Sequence, residues 1–407
     1  MNALDGIRVI DFTSGVAGPN CTKLLADFGA DVIKVERSTG DKTRTVPPFA
    51  GDQPHAERSL LFLHLNTNKR SVTVDPATSE GADLLRRLIV DAQVVVEDFK
   101  PGRTSELGLG YEHLIKDRPN LVYCSITPWG QDGPYVEREL RASELVLQGM
   151  GGPVNATGHS EREPLKLAGN LAQMQAGTVA AFAITGMVYR TEKGGEGDHL
   201  DISIYETQMG SRDRRTPALT AYSYTGATSK RTQAGFALAS GVKPTQDGHI
   251  NLMAMGTRRM DNFVSMIGRE DLVGDERIYQ QPTMLEQEFI EEIQTAYFGW
   301  LMAHGKRDAV AIAQEHGLLA GVVNTPEDLV SDPHYRERGV WESIEHPVAG
   351  AFEYPGRPVI MSDSPRPTAR RAPLLGEHNA EVLGGLLDVT DEQLSTLRAS
   401  GVISGDA

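Results

Sequence analysis

Cysteine is nearly absent: Cys21 and Cys124 are the only two in 407 residues. That excludes a disulfide framework, and no CxxC metal site is possible. Both thiols lie in apolar stretches and read as buried, unreactive side chains. Positive charge is also in short supply. Forty Lys and Arg stand against 55 Asp and Glu, a net charge of −15. Non-specific binding to nucleic acid needs a basic footprint and is argued against, although a local basic pocket for an anionic ligand is not. No apolar run approaches the roughly 18 residues of a membrane span. The opening MNALDGIRVIDF reads as the start of a strand rather than a signal peptide. A cytoplasmic protein is expected. The motifs HExxH, GxSxG, the P-loop and a strict GxGxxG are all missing, which removes the chemistries tied to them.

What is present is patterned. GIRVIDF, DVIKVE, SVTVD, AQVVVEDF and LVYCSI are short apolar strands. GPNCTKLLADFG, SEGADLLRRLIVD and YEHLIKDRP are helices between them. This alternation predicts parallel βαβ units and an α/β, Rossmann-like doubly wound sheet. Ligands of such sheets bind at the carboxyl ends of the strands. A long helix is expected over about 171–191, followed by a strand in HLDISI. Residues 211–242 read as polar loop. GHINLMAM opens a second module with two helices, and 333–361 reads as short hairpins with Pro and Gly turns. The expected division is a large domain of 1–210 and 325–407, with 211–324 as linker and a smaller α+β domain.

Few residues carry chemistry on their own evidence. The turn DFTSGVAGPN brings small residues to a helix start, where backbone N–H groups can meet an anion; an ordinary tight turn explains it equally well. Arg37 follows the second strand, where a ribose or phosphate is often met, or is a surface arginine. Glu144 is either a catalytic carboxylate or a first-turn helix charge. His113 reads as a surface helix residue. In PLKLAGNLAQMQAG, uncharged amides stand where a buried helix begins, and Asn170 with Gln173 fits a variant capping box.

Several stretches taken together resemble the class III CoA-transferases, which include formyl-CoA and carnitine-pathway transferases and α-methylacyl-CoA racemases. They are LDGIRVIDFTSGVAGPNCTKLLADFGADVIKVERSTGDKTR, LNTNKRSVTVD, VEDFKPG, LGLGYEHL, NLVYCSITPWGQDGPY and PLLGEHNAEVL. The resemblance runs from about 4 to 386 and implies two chains interlocked as rings. It implies CoA as a substrate, with no permanently bound cofactor and no metal. By the same resemblance Val16, Ala17, Arg37, Val74, Asp98, Phe99 and Arg141 match CoA-contacting positions. Two basic positions are lost, to Ala77 and Glu106, and Arg103 is the expected substitute for the second.

The main departure is Gln173. It stands where the family's transferases carry a catalytic aspartate that attacks the acyl-CoA carbonyl. An amide nitrogen is not a useful nucleophile. Four readings follow: a subunit that works with an aspartate-bearing sister chain; a homodimer in which Glu144 takes over; a racemase or isomerase using Glu144 and His113; and a non-catalytic acyl-CoA-binding protein. All four assume an acyl-CoA ligand, and the transferase readings add a small carboxylic acid. The small domain lacks the long glycine-rich loop of formyl-CoA transferases, which points away from formyl-CoA and oxalate.

Overall fold

The structure is a computed structural model that describes residues 2–158, 161–210, 215–228, 238–280, 284–364 and 368–405. Six strands form its central sheet: β1 (Arg8–Asp11), β2 (Asp31–Glu36), β3 (Arg70–Thr73), β4 (Val94–Glu97), β5 (Val122–Thr127) and β6 (His199–Ser203). Their order is β3-β2-β1-β4-β5-β6, and every pairing is parallel. Sequence runs such as VVVE are apolar at successive positions because both faces are covered. Val94 and Val96 face one core and Val95 the other.

The first core is closed by α1 (Ala17–Asp27) and the second by α2 (Ser79–Ile89) with the C-terminal segment. Thr78 caps α2 by accepting the Gly81 N–H at 3.0 Å, and Arg86 and Arg87 complement its carboxyl end. Cys21 and Cys124 are both buried in the first core, where burial pushes their thiols above the ordinary range.

Past β5 come α3 (Glu144–Met150) and the long α4 (Leu171–Glu192). Among the described residues, α4 is the one helix long and apolar enough to cross a membrane by length and composition, at 22 residues and mean hydropathy 1.3. That corrects the expectation that no such run exists. One face of α4 packs on α1 and the sheet, burying Ala172, Ala176, Ala180, Ala181, Ile184 and Val188. The small residues on that face allow close approach: a Cβ on Gly177 would stand 2.4 Å from the Ala17 carbonyl oxygen. Gly177→Ala is therefore expected to lower stability by about 1–3 kcal/mol through overpacking, despite alanine's better helix propensity. Urea unfolding of the variant checks this.

The stretch expected as loop from 211 contains a helix, α5 (Arg215–Thr225); residues 211–214 and 229–237 lie outside the described ones. Polar composition hid it, because α5 has little apolar periodicity to read.

The chain divides into two compact units: Met1–Val154, Lys166–Thr228 and Glu337–Ala407 form one, and Asn155–Leu165 with Ser229–Arg336 the other. In the second unit, β7 (Gly241–Thr245), β8 (Gly248–Met253) and β9 (Leu319–Val322) make an antiparallel sheet. It packs with α6 (Thr257–Met266), α7 (Gln287–Met302) and α8 (Lys306–Glu315) around Phe263, Ile293 and Tyr297. Back in the first unit, β10 (Trp341–His346) and β11 (Gly350–Pro355) form the expected hairpin.

Candidate active site

At the carboxyl ends of β1 to β4 lies a cleft of about 310 Å³. It gathers Arg37, Val74, Asp98 and Phe99, with Lys42 and Lys100 beside them. Val16 and Ala17 are buried at the start of α1, after the β1–α1 turn that forms the cleft floor. That turn is held on two sides. The Ser14 N–H donates to Asp98 Oδ2 at 2.9 Å, and the Gly15 N–H to Asp41 Oδ1 at 3.1 Å.

Below the turn lies a buried ionic network. Lys34 Nζ meets Asp41 at 2.7 Å and the Thr13 carbonyl at 2.9 Å. Lys69 Nζ donates to Asp11 Oδ2 at 3.1 Å and to the Pro19 carbonyl at 3.0 Å. Burial opposes the charge on Asp11, yet Lys69 and Lys34 hold it well below the usual carboxylate range. The sequence reading missed Lys42, Lys100 and this network. Its only local signal is Asp41, two residues before Thr43, whose N–H it accepts in a turn-forming bond.

Two expected CoA contacts lie elsewhere. Arg103 is exposed and ion-paired to Glu106 at 2.7 Å, the very glutamate that stands at the lost basic position. It does not line the cleft. Arg141 is exposed on the chain leading into α3, three residues before Glu144.

The second part of the site is the start of α4. The expected capping box is not formed, for Asn170 makes no side-chain cap bond. Glu144 supplies the cap from outside the helix. Its Oε1 accepts from the Ala172 N–H and from Gln148 Nε2, each at 2.7 Å. Its Oε2 accepts from Gln173 Nε2 at 3.1 Å and faces the Gln173 N–H at 3.4 Å. Four donors thus converge on one carboxylate, which has about four lone-pair sites to offer. Gln148, one helical turn along α3, also accepts the Leu167 N–H at 2.9 Å. Gln175 Nε2 donates to the Thr207 carbonyl at 3.1 Å, and Asn20 Nδ2 to the Met174 carbonyl at 2.9 Å. Gln173 and Gln175 are therefore bonded into the fold.

All of Glu144's partners are donors, so Glu144→Gln turns one oxygen into an NH₂ that faces another N–H. A loss of about 1–3 kcal/mol is expected, together with fraying at the start of α4. Thermal unfolding and amide exchange at Ala172 and Gln173 check it.

His113 is not part of this site. It is exposed on the short helix Tyr111–Leu114 and paired with Glu112 at 3.1 Å. Tyr111 stacks on His199, the first residue of β6. Glu144, the first residue of α3, is bonded to the start of α4, whose far end leads toward β6. The two residues thus stand near opposite ends of a helix roughly 33 Å long at 1.5 Å per residue. Among the described residues, no group of three His, Cys, Asp or Glu is placed to hold a metal.

The sequence profile of CoA-transferase family III matches residues 4–379. The chain belongs to that family. It is 33% identical to a succinate–glutarate CoA-transferase of Agrobacterium fabrum, covering 94% of this chain and 95% of that one. It is 32% identical to a formyl-CoA:oxalate CoA-transferase of Streptomyces avermitilis, covering 98% and 99%. A crystal structure of a CAIB/BAIF family protein from Brucella suis superposes with a TM-score of 0.81 at 31% identity, covering 95% of this chain and all of that one. The protein is a family III CoA-transferase by sequence and by fold, and the cleft and the start of α4 belong to a single compact unit of it.

Proposed function

We propose that the protein transfers CoA from an acyl-CoA to a small carboxylic acid as one partner of an assembly whose other chain carries the nucleophilic aspartate. The observation behind this reading is Gln173. Its Nε2 is bonded to Glu144 at the start of α4, where the reaction needs a free carboxylate. In that reaction a carboxylate attacks the thioester carbonyl and CoA thiolate leaves, giving a mixed anhydride. The thiolate then attacks the enzyme-side carbonyl, the acid departs, and an enzyme–CoA thioester remains. The acceptor acid repeats both steps in reverse. Each step exchanges one carboxylate for one thiolate, so neither oxidant nor metal is needed.

Glu144 in this proposal positions α4 and is not the nucleophile, because its lone pairs are already engaged by four donors. The Glu144–His113 acid/base pair of a racemase finds no support, since a racemase needs the two on opposite faces of one α-carbon. Val16, Ala17, Arg37, Val74, Asp98 and Phe99 are proposed to hold CoA, with Arg141 nearer the reacting end.

Pairing through interlocked rings is supported by the second face of α4. Phe182 is 82% exposed and Tyr189 67%, and Tyr222 and Tyr224 on α5 are exposed as well. An apolar face of this kind is typical of an interface. A cytoplasmic location belongs to the same proposal. Relatives named for succinate and glutarate, or for formyl-CoA and oxalate, stand at nearly equal identity, so a panel of short dicarboxylates is the appropriate set of acceptors.

The test is isotope-labelled CoA transfer by the purified chain alone and after co-expression with an aspartate-bearing family member from the same genome. Binding of CoA without transfer by the single chain, and transfer by the pair, is the expected result. Transfer by the single chain overturns the need for a partner. Deuterium entering the acyl α-carbon from D₂O, without transfer, overturns the transferase reading.

A further inference from the structure

Cations at 269, 277, 306 and 307 of the second unit are held in ion pairs. Arg269 meets Asp271 at 2.6 Å and Glu292 at 2.7 Å, and Arg277 meets Asp275 at 2.6 Å. Lys306 and Arg307 share Asp328. Such partners are easy to find in a chain with 55 acidic residues and 40 basic ones. Lys243 has none, but it shares its hollow with Glu291. Arg258 and Arg259 differ from all of these. Among the described residues neither side chain makes an ion pair or a hydrogen bond, and no acid shares their hollow.

The two arginines are successive residues of α6 and line a cavity of about 430 Å³. Asp261, on the same helix, is engaged away from them: it accepts the Gly274 N–H at 2.9 Å and the Tyr279 O–H at 2.7 Å. Asn262, also in the wall, is fixed by donating to the His316 carbonyl at 2.7 Å. Gly256 and Gly317 add no side chain to the space, and half-exposed Met255 supplies an apolar side chain. A solvated arginine by itself signals nothing. Two cations without a counter-charge in one concave pocket of ligand size create a positive potential that attracts an anion. Successive side chains leave a helix about 100° apart around its axis. That spacing suits two separate anionic groups better than one, and the methionine suits a short methylene chain joining them.

We propose that this cavity binds a short dicarboxylic acid, one carboxylate on Arg258 and the other on Arg259. The inference rests on the CoA-transferase reading and deepens it: the acceptor is a diacid, and the two arginines are its specificity-determining residues. A guanidinium holds a carboxylate through charge-assisted hydrogen bonds, two at a time in the favourable fork. A monoacid of equal length engages one arginine and leaves the other without a partner. The loss of one such contact weakens binding about tenfold or more.

The experiment is calorimetric titration of the purified protein at fixed ionic strength, because salt screens contacts between exposed charges. The probes are succinate, glutarate, butyrate and inorganic phosphate. The expected result is saturable binding of a diacid, with butyrate weaker by about tenfold or more. Arg258→Gln and Arg259→Gln are each expected to weaken the diacid toward the level of butyrate. Both side chains are exposed, and circular dichroism confirms that the variants are folded. In the transfer assay with the co-expressed partner, the same variants are expected to raise KM for the diacid by more than they lower kcat. No saturable diacid binding, or binding that both variants keep, overturns the inference alone. So does phosphate bound as tightly as the diacids, which makes the cavity a general anion site. Diacid binding lost in the variants with KM unmoved overturns the acceptor role. Transfer that fails in the pair while diacids still bind overturns the transferase reading and leaves the site.

Discussion

Gln173→Asp is expected to give the isolated protein CoA-transfer activity on the order of 10² above its background. That is well short of the roughly 10⁶ that a nucleophile carries in an evolved enzyme. The substitution places a carboxylate at the start of α4, where the helix dipole favours negative charge. Glu144 complicates it. Its Oε2 stands 3.1 Å from Gln173 Nε2, so the new aspartate shares its surroundings with an existing anion. Like charges at this range raise the pKa of one partner, and the gained activity should therefore increase with pH as that group ionises. Mass spectrometry of the peptide around 173, after incubation with acyl-CoA, should show a CoA thioester in the variant and none in the parent. A folded variant that binds CoA yet forms no adduct and transfers nothing would mean that a second catalytic group is also missing.

Arg44→Met is expected to reduce stability most among single substitutions, by about 3–5 kcal/mol, because removing one member of a buried ionic cluster strands the others. Arg44 is fully buried and pairs side-on with Glu36, Nε to Oε2 at 2.8 Å and Nη2 to Oε1 at 2.9 Å. Its Nη1 meets Glu57 at 2.6 Å, and its guanidinium lies over Phe62, 3.7 Å from the ring centroid. Glu57 in turn accepts the Leu375 N–H at 3.0 Å, and Nη2 reaches the Pro373 carbonyl at 3.2 Å. The cluster thus ties the C-terminal segment to β2. Chemical denaturation of Arg44→Met measures the loss. Combining it with Glu36→Gln and Glu57→Gln removes the stranded charges and should recover much of it. If the triple variant is no more stable than Arg44→Met, then packing on Phe62 outweighs the charges.

The parallel sheet was legible because a buried strand such as Val94–Glu97 needs apolar residues at every position, a pattern that stands out against amphipathic helices like α2. The α5 helix was not, since its composition has neither period. The cleft was half legible: Arg37, Val74, Asp98 and Phe99 were named, while Lys42 and Lys100 were not. A lone lysine in a polar loop carries no sign of which cavity it lines. Arg103 was expected at the cleft, and its pairing with Glu106 explains why it is engaged elsewhere.

By itself the sequence determined the fold class and the family, because these depend on residue identity and order along the chain. Only the tertiary structure decided what Glu144 does. It lies 29 positions before Gln173, a separation that says nothing about contact. Folding places it against the first turn of α4, where unsatisfied N–H groups and an amide converge on its oxygens. The same holds for His113, which the fold leaves exposed on the helix Tyr111–Leu114 and paired with Glu112. Hydrogen bonds between elements are properties of packing, and the capping box that local spacing suggested yielded to a better acceptor brought from elsewhere in the chain.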